Sequence, residues 1–323
     1  MKDKLLITGG AGYIGSVISS YFLDRNYQVN IIDDLSSGSL DNIDQRAVFF
    51  QGSILDTSLL RESMQGVTTV LHFAAKSLVG ESVSNSDLYY KVNIQGTKNI
   101  LDQMKVMQID RIVFSSTCAV YGQPKEVPIS EKSTTDPISP YGISKLKADE
   151  LLTEIAESDQ LAALSFRFFN ISGSYMNSLG RWVNESRQIE THLIPNLLHS
   201  VNGTDFKVFG LDYPTPDGSC IRDYLHVIDL ARAYELALGH LKKSEHRIIN
   251  LGSGVGRSVL EIIAITEEVV GSKIEISPAK SRAGDPAILV ADIELAKKLL
   301  DWQPEFTTKQ IIQSSWEGFS EIR

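Results

Sequence analysis

Tyr141 and Lys145 stand four residues apart in SPYGISK, at the head of a long helical pattern. That spacing puts both side chains on one helix face. A phenol ordinarily titrates at about 10, and a neighbouring ammonium favours its ionised form. A tyrosine so placed can take a proton from a hydroxyl as general base and return it as general acid. Upstream, FSSTCAVYG offers Thr117, with Ser115 and Ser116 beside it, where an apolar run that reads as a strand ends. A hydroxyl there can orient a substrate or relay a proton, since open α/β sheets take ligands at their strand ends. By itself, Y-x-x-x-K is more often a pair on a helix surface. The chemical reading depends on what else the chain supplies.

The second constellation is Gly9-Gly10-Ala11-Gly12-Tyr13-Ile14-Gly15. It satisfies both G-x-G-x-x-G and G-x-x-G-x-x-G. Glycines there allow a tight turn, let backbone approach a pyrophosphate and bring helix close to sheet, while a helix N-terminus favours the anion. Ordinary turns use glycine too. Here the loop lies between an apolar strand, KLLIT, and an amphipathic helix, YIGSVISSYFLDRN, which is the context a dinucleotide site requires. Asp33 ends the next strand, QVNIID, near the acidic position expected about 20 residues on. Its carboxylate can accept from an adenosine ribose and would repel a 2′-phosphate, which favours NAD over NADP. The alternative is that Asp33 or Asp34 caps the following turn.

These residues need a scaffold, and the chain is long enough to build one. It has 323 residues, 42% of them hydrophobic, which suits one large α/β domain or two lobes. Strand patterns at AVFFQG, TTVLHFA, RIVFSS and LAALSFRFFN alternate with helical ones. That order implies right-handed crossovers and a Rossmann-type, doubly wound parallel sheet. After Asn170 the alternation weakens, and ISGSYMNSLGRWVNESRQIETHLIP is polar and irregular. The expected division is an NAD-binding domain over residues 1–170 and a smaller C-terminal lobe over 171–323. The chain is expected to cross back to the first lobe near 221–245, around HVIDLARAYELALGHL.

A formal charge of −9 with no basic block argues against a nucleic-acid or anionic-membrane partner. Cys118 and Cys220 have neither metal nor C-x-x-C spacing, which fits a reducing cytoplasm and no metal site. No signal peptide or membrane-spanning pattern is expected.

The motifs ITGGAGYIGS, HFAAKSLVGES, YYKVNIQGT, FSSTCAVYG, SPYGISK, FRFFN, FGLDYPTPDGSCIRDYLHVIDLA and SRAGDPAILVAD follow in one order across nearly the whole chain. The set resembles the UDP-glucose 4-epimerase (UDP-galactose 4-epimerase) family of the extended short-chain dehydrogenase/reductase superfamily. The first and fifth motifs belong to the superfamily at large, whereas the long DYPTPDGSCIRDYLHVIDLA stretch is much more specific. The resemblance implies reversible inversion at C4 of UDP-glucose and UDP-galactose through a transient 4-keto sugar, with NAD tightly bound and regenerated. It makes Tyr141 the base, Lys145 the holder of the nicotinamide ribose, and Thr117 the partner of the sugar O4.

Around the cofactor the resemblance implies Gly9, Gly12, Tyr13, Ile14 and Gly15, then Asp33, Asp34, Leu35, Ser36, Ser37 and Gly38 about the adenosine. Ser53 and Ile54 match adenine contacts, although many relatives carry aspartate at Ser53. Phe73, Ala74 and Ala75 form a strand end beneath the cofactor, and Asn93 and Phe169 complete the set. Asn93 can equally tie two loops together. Lys76 stands one position before the lysine of some relatives, which falls on Ser77, so neither is assigned.

For the substrate, Arg222 and Arg282 match diphosphate ligands, arginine being suited to phosphate by its planar fork. Asn170, His192 and Leu193 match substrate contacts. Lys207, Val208 and Phe209 are expected against the uracil ring, and Asp285 on the uridine ribose. Leu289 replaces a tyrosine common in members restricted to the unsubstituted sugars, which leaves activity on UDP-N-acetylglucosamine open. A homodimer through helices of the first lobe is implied by resemblance alone. A 4,6-dehydratase would need an Asp-Glu pair directly after Thr117, and Cys118 and Ala119 stand there.

Overall fold

A computed structural model describes residues 3–185, 190–201, 203–282 and 284–321. The chain divides into two compact units: Met1–Gly122 with Thr135–Arg167 and Ala233–Ile249, and Gln123–Thr134 with Phe168–Arg232 and Asn250–Arg323. The return of 233–249 to the first unit lies within a helix, Val227–His240, and the strand after it. The assignment of 123–134 to the second unit differs from the sequence expectation. Ile129 explains it: this fully buried residue pairs with Ala291, and its carbonyl accepts from Asn250 at 2.9 Å.

The first unit holds a seven-stranded sheet. Its strands are β1 (Lys4–Thr8), β2 (Gln28–Asp33), β3 (Val48–Gln51), β4 (Thr69–His72), β5 (Arg111–Thr117), β6 (Ala162–Phe168) and β7 (Glu245–Leu251), in the order β7-β6-β5-β4-β1-β2-β3. β1 runs parallel to both β2 and β4, so the order reverses beside it. At such a switch point the two connecting segments leave in opposite directions and open a crevice past the strand ends. Near-continuous apolar runs in β1, β4 and β5 reflect burial on both faces.

The helices are α1 (Tyr13–Leu23), α2 (Thr57–Ser63), α3 (Val79–Ser84), α4 (Ser86–Tyr89), α5 (Gly96–Val106) and α6 (Pro140–Asp159). A π-helical segment, Tyr90–Gln95, joins α4 to α5. Ser139 caps α6 by accepting from the Gly142 N–H, and Pro140 occupies its first turn, where the missing N–H costs nothing. Leu60, Ile100, Met104, Ile112, Phe114, Ala148 and Leu152 meet in one buried core on this side of the sheet.

In the second unit, strand Ile221–His226 runs parallel to Asn170–Ser172 and Ile288–Leu289 and antiparallel to Gly256–Ser258. Phe206–Phe209 pairs in parallel with Ile276–Ala279. Helices Leu193–Ser200, Val259–Val270 and Thr308–Glu321 bury Ile194, Leu197, Ile262, Ile263, Ile311 and Ile312 in a separate core. The irregular stretch after Asn170 contains a small hairpin, Tyr175–Met176 with Trp182–Val183; its residues 186–189 lie outside the described residues. Among the described residues no helix is long and apolar enough to cross a membrane.

Candidate active site

The glycine loop joins β1 to α1 with two very close approaches. A Cβ at Gly15 would lie 2.2 Å from the Gly9 carbonyl oxygen, and one at Gly9 would lie 2.6 Å from the Ala74 nitrogen. Gly12 differs, since a Cβ there would meet only the Gly9 oxygen, at 3.4 Å. The fold tolerates a side chain at Gly12; what glycine keeps clear is the space at the start of α1. No side chain caps that helix, and no acid lies in its first turn. Its exposed dipole and N–H groups fit a pyrophosphate, with Tyr13 buried and Ile14 half-buried in the same turn.

Asp33 takes up the turn-capping alternative and keeps acceptor capacity besides. One oxygen accepts from the Ala11 N–H at 3.0 Å and the other from the Leu35 N–H at 2.8 Å, so it ties the glycine loop to the turn after β2. Burial raises its carboxyl above the ordinary value, against those two hydrogen bonds. Lone pairs remain on both oxygens for a ribose hydroxyl. Asp34 accepts from the Ser36 N–H, Gly38 packs on Ala11, and Ser37 is exposed. Ser53 accepts from the Leu55 N–H at 3.3 Å and so closes the turn before α2, whereas Ile54 is buried in the core.

The loop after β4 carries Phe73, Ala74 and Ala75. Phe73 packs on Tyr234 with centroids 4.8 Å apart, and the Ala74 N–H donates to the Thr8 hydroxyl. Asn93, presented by the π-helical segment, is fully engaged with protein. It bonds the Lys76 N–H and carbonyl and donates to the Ser144 hydroxyl at 2.9 Å. It therefore ties the β4 loop to α6, which is the loop-holding alternative. Lys76, left unassigned from sequence, donates to the Ser36 hydroxyl at 2.9 Å and bridges the loops after β4 and β2.

Thr117 is the last residue of β5, and its hydroxyl accepts from the Ala119 N–H at 3.2 Å. The first turn of α6 packs against the short helical turn that follows. A Cβ at Gly142 would stand 2.7 Å from the Ala119 carbonyl oxygen, so glycine there lets Tyr141 approach the end of β5. Tyr141 is half-buried, its ring edge-on to Tyr89 with centroids 6.5 Å apart. Lys145 is 2% exposed; its Nζ donates to the Ser115 carbonyl at 2.7 Å and lies 4.7 Å from the centre of the Phe114 ring. Burial pulls its ammonium down to about 7, with the Asp149 carboxylate acting in the opposite direction.

In the second unit, Arg222 is nearly buried on its strand and pairs with Asp285 at 2.7 Å. Leu289 is its direct neighbour across the parallel pair. Arg282 is exposed, with its guanidinium 4.5 Å above the Phe209 ring. Lys207 and Phe209 are exposed on one face of their strand, whereas Val208 is 1% exposed and part of the core. Strand side chains alternate, so Val208, expected against the uracil ring with its neighbours, turns its side chain into the core and leaves its backbone for such a contact. Asn170 is half-buried beside Tyr224, and Phe169 is buried with its N–H on the Leu251 carbonyl. His192 precedes helix Leu193–Ser200 and is bonded to Glu185 at 2.5 Å.

Comparison with known proteins gives this geometry a family. A UDP-glucose 4-epimerase of Corynebacterium glutamicum is 43% identical over 97% of this chain and 94% of its own length. The chain belongs to the UDP-glucose 4-epimerase family. The broader family model described as GDP-mannose 4,6 dehydratase matches residues 6–315. Two solved structures are similar. One is a UDP-glucose 4-epimerase from Brucella ovis in complex with NAD (TM-score 0.92, 36% identity, 98% of each chain). The other is a UDP-glucose 4-epimerase from Bifidobacterium longum in complex with NAD+ and UDP (TM-score 0.92, 32% identity, 98% of each chain). Within this epimerase family fold, Cys118 and Ala119 begin the turn after Thr117, where a dehydratase would need its acid pair. Sequence reasoning left Lys76 unassigned and did not single out Asp149, because the partners they bond, Ser36 for one and Ser116 and Arg167 for the other, lie far away in the chain.

Proposed function

We propose that the chain is an NAD-dependent isomerase that reversibly interconverts UDP-glucose and UDP-galactose at C4. The observation that carries this reading is the Lys145 ammonium, held by the Ser115 carbonyl on the helix face that also bears Tyr141. The first unit is the NAD-binding one and the second binds the UDP-sugar.

Gly12 and the first turn of α1 hold the pyrophosphate, Asp33 accepts from the adenosine ribose, and Asn93 and Lys76 fix the loops around them. Bound NAD supplies the acceptor of the C4 hydride and, once reduced, its donor. Tyr141 removes the 4-hydroxyl proton and returns it after the sugar has turned its other face. Lys145 bonds the nicotinamide ribose and stabilises the phenolate through its charge. Thr117 holds O4. Because hydride and proton both come back to the sugar, no external redox partner is consumed.

Arg222 and Arg282 neutralise the diphosphate, with Asp285 orienting the Arg222 fork. Phe209 and Lys207 flank the uracil, with Asn170, His192 and Leu193 as further nucleotide contacts. Leu289 has less volume than tyrosine and no hydroxyl, and we extend the substrate range to UDP-N-acetylglucosamine and UDP-N-acetylgalactosamine on that ground. The working form is a cytoplasmic homodimer joined through helices of the first unit.

The test is incubation of purified protein, without added cofactor, with UDP-galactose and separately with UDP-N-acetylgalactosamine, followed by chromatography of the 4-epimers. UDP-glucose formed without net NADH is the expected result. No conversion of either sugar, even with NAD supplied, would overturn the reading.

A further inference from the structure

A buried charge cluster lies behind Lys145, and the chemistry above leaves it without a role. Asp149 is one turn further along α6 and is 1% exposed. Its Oδ2 accepts from the Ser116 hydroxyl at 2.9 Å and from the Arg167 Nε at 3.1 Å. Its Oδ1 is buried with no hydrogen-bond partner. Arg167, 4% exposed, also donates from Nη1 to the Tyr121 hydroxyl at 3.2 Å. One carboxylate oxygen thus holds a buried cation and a buried hydroxyl.

A buried carboxylate oxygen without a donor is unfavourable unless positive charge nearby keeps the group ionised. Arg167 supplies that charge directly, and Lys145, four residues back on the same helix, lies within the field of the carboxylate. The other ionisable groups around them are already committed. His72 of β4 is bonded to the Thr8 and Thr97 hydroxyls, and burial keeps it neutral. His246 of β7 bonds the Thr153 and Ser165 hydroxyls, and burial lowers it to about 4. Tyr89 of α4 donates to Glu81 of α3 at 2.9 Å. Cys118 and Tyr121 belong to the turn after β5, and Tyr121 is already bonded to Arg167. Among these described residues, Asp149 is the remaining carboxylate.

We propose that Asp149, anchored by Ser116 and Arg167, is a positioning residue that keeps Lys145 protonated and so sets the pH range in which Tyr141 acts as base. Its anchors are part of the design. Ser116 and Arg167 hold negative charge on Oδ2, so the carboxylate supports the ammonium without cancelling the field that Lys145 exerts on the phenol. Burial alone disfavours the Lys145 charge, and Asp149 opposes it. The inference rests on the proposed role of Tyr141.

The test is the pH dependence of kcat for the holoenzyme in the parent, Asp149→Asn, Asp149→Glu, Ser116→Ala and Tyr141→Phe, with thermal unfolding measured alongside. Asp149→Asn is expected to move the acidic limb upward by about one pH unit, about tenfold slower below the limb, and Asp149→Glu to bring it back toward the parent. Direct loss of a negative charge near Tyr141 would move the limb downward, so the sign separates action through Lys145 from a simple field effect. A lower melting temperature with an unmoved or down-shifted limb would overturn the proposal. If Asp149→Asn does not fold, Ser116→Ala decides: removing one of the two donors that hold the ionised carboxylate weakens its support of Lys145 and moves the limb upward, and an unmoved limb overturns the proposal. Substantial activity in Tyr141→Phe would instead overturn the reading of Tyr141 itself.

Discussion

Lys145 donates to the main-chain carbonyl of Ser115 at 2.7 Å, so the ammonium of α6 is anchored to the strand that ends in Thr117. A carbonyl accepts without contributing a counter-charge. The lysine's position is fixed while its charge remains available to a neighbouring phenol.

That arrangement is unfavourable for folding, with a definite pH signature. Burial brings Lys145 to about 7, well below the value of about 10.4 expected in the unfolded chain. Between those values the unfolded chain binds more protons, so stability rises with pH. The cost is fully present below pH 7 and is relieved as pH climbs toward 10. Lys145→Met is therefore expected to unfold at higher urea than the parent at pH 6.5, by a few kcal/mol. The gap should close by pH 10. A gap constant across that range would contradict the assignment.

Asp223 organises the second unit through hydrogen bonds that only an acceptor can make. Its oxygens take the N–H groups of Ser253 (2.6 Å), Gly254 (3.0 Å) and Ala291 (3.1 Å), besides the Ser253 hydroxyl. Asp223→Ala takes the acceptor away from all of them and leaves the Ala291 N–H buried and unmet, a loss of about 1–3 kcal/mol. Asp223→Asn should do little better, because its NH₂ points a donor at donors. Denaturant unfolding of both variants checks this.

Alternation along Phe206–Phe209 separates structure from binding. Val208→Ala should lower stability by about 2 kcal/mol and leave KM for the UDP-sugar nearly unchanged. Phe209→Ala and Arg282→Ala should each raise KM severalfold with little change in melting temperature, since both residues are exposed and contact one another. Equal KM effects from Val208→Ala would show that the valine side chain does reach the ligand.

Leu289 lies beside Arg222 in the strand pair. Leu289→Tyr is expected to reduce kcat/KM for UDP-N-acetylgalactosamine at least about tenfold relative to UDP-galactose, the scale of one poorly accommodated group in a pocket. An unchanged ratio would remove this position from substrate selection.

What the sequence by itself determined is what local chemistry dictates. The glycine loop, Asp33 at the next strand end, and Tyr141 one helical turn before Lys145 are short-range patterns, legible because strand, turn and helix geometry follow from neighbours in the chain. Alternating strands and helices likewise implied the doubly wound sheet, and the ordered motifs pointed to the epimerases. Tertiary structure decided the rest. The anchoring of Asp149 by Ser116 and Arg167, the hold of Asn93 on Lys76 and Ser144, and the pairing of Arg222 with Asp285 join residues 17 to 63 positions apart. No periodicity encodes them. Val208 shows the same limit within a single strand: the sequence alternates, but only packing against Ile274 and the helices decides which face is core. Burial follows from the whole fold, and burial is what turns an ordinary lysine into one poised near neutrality.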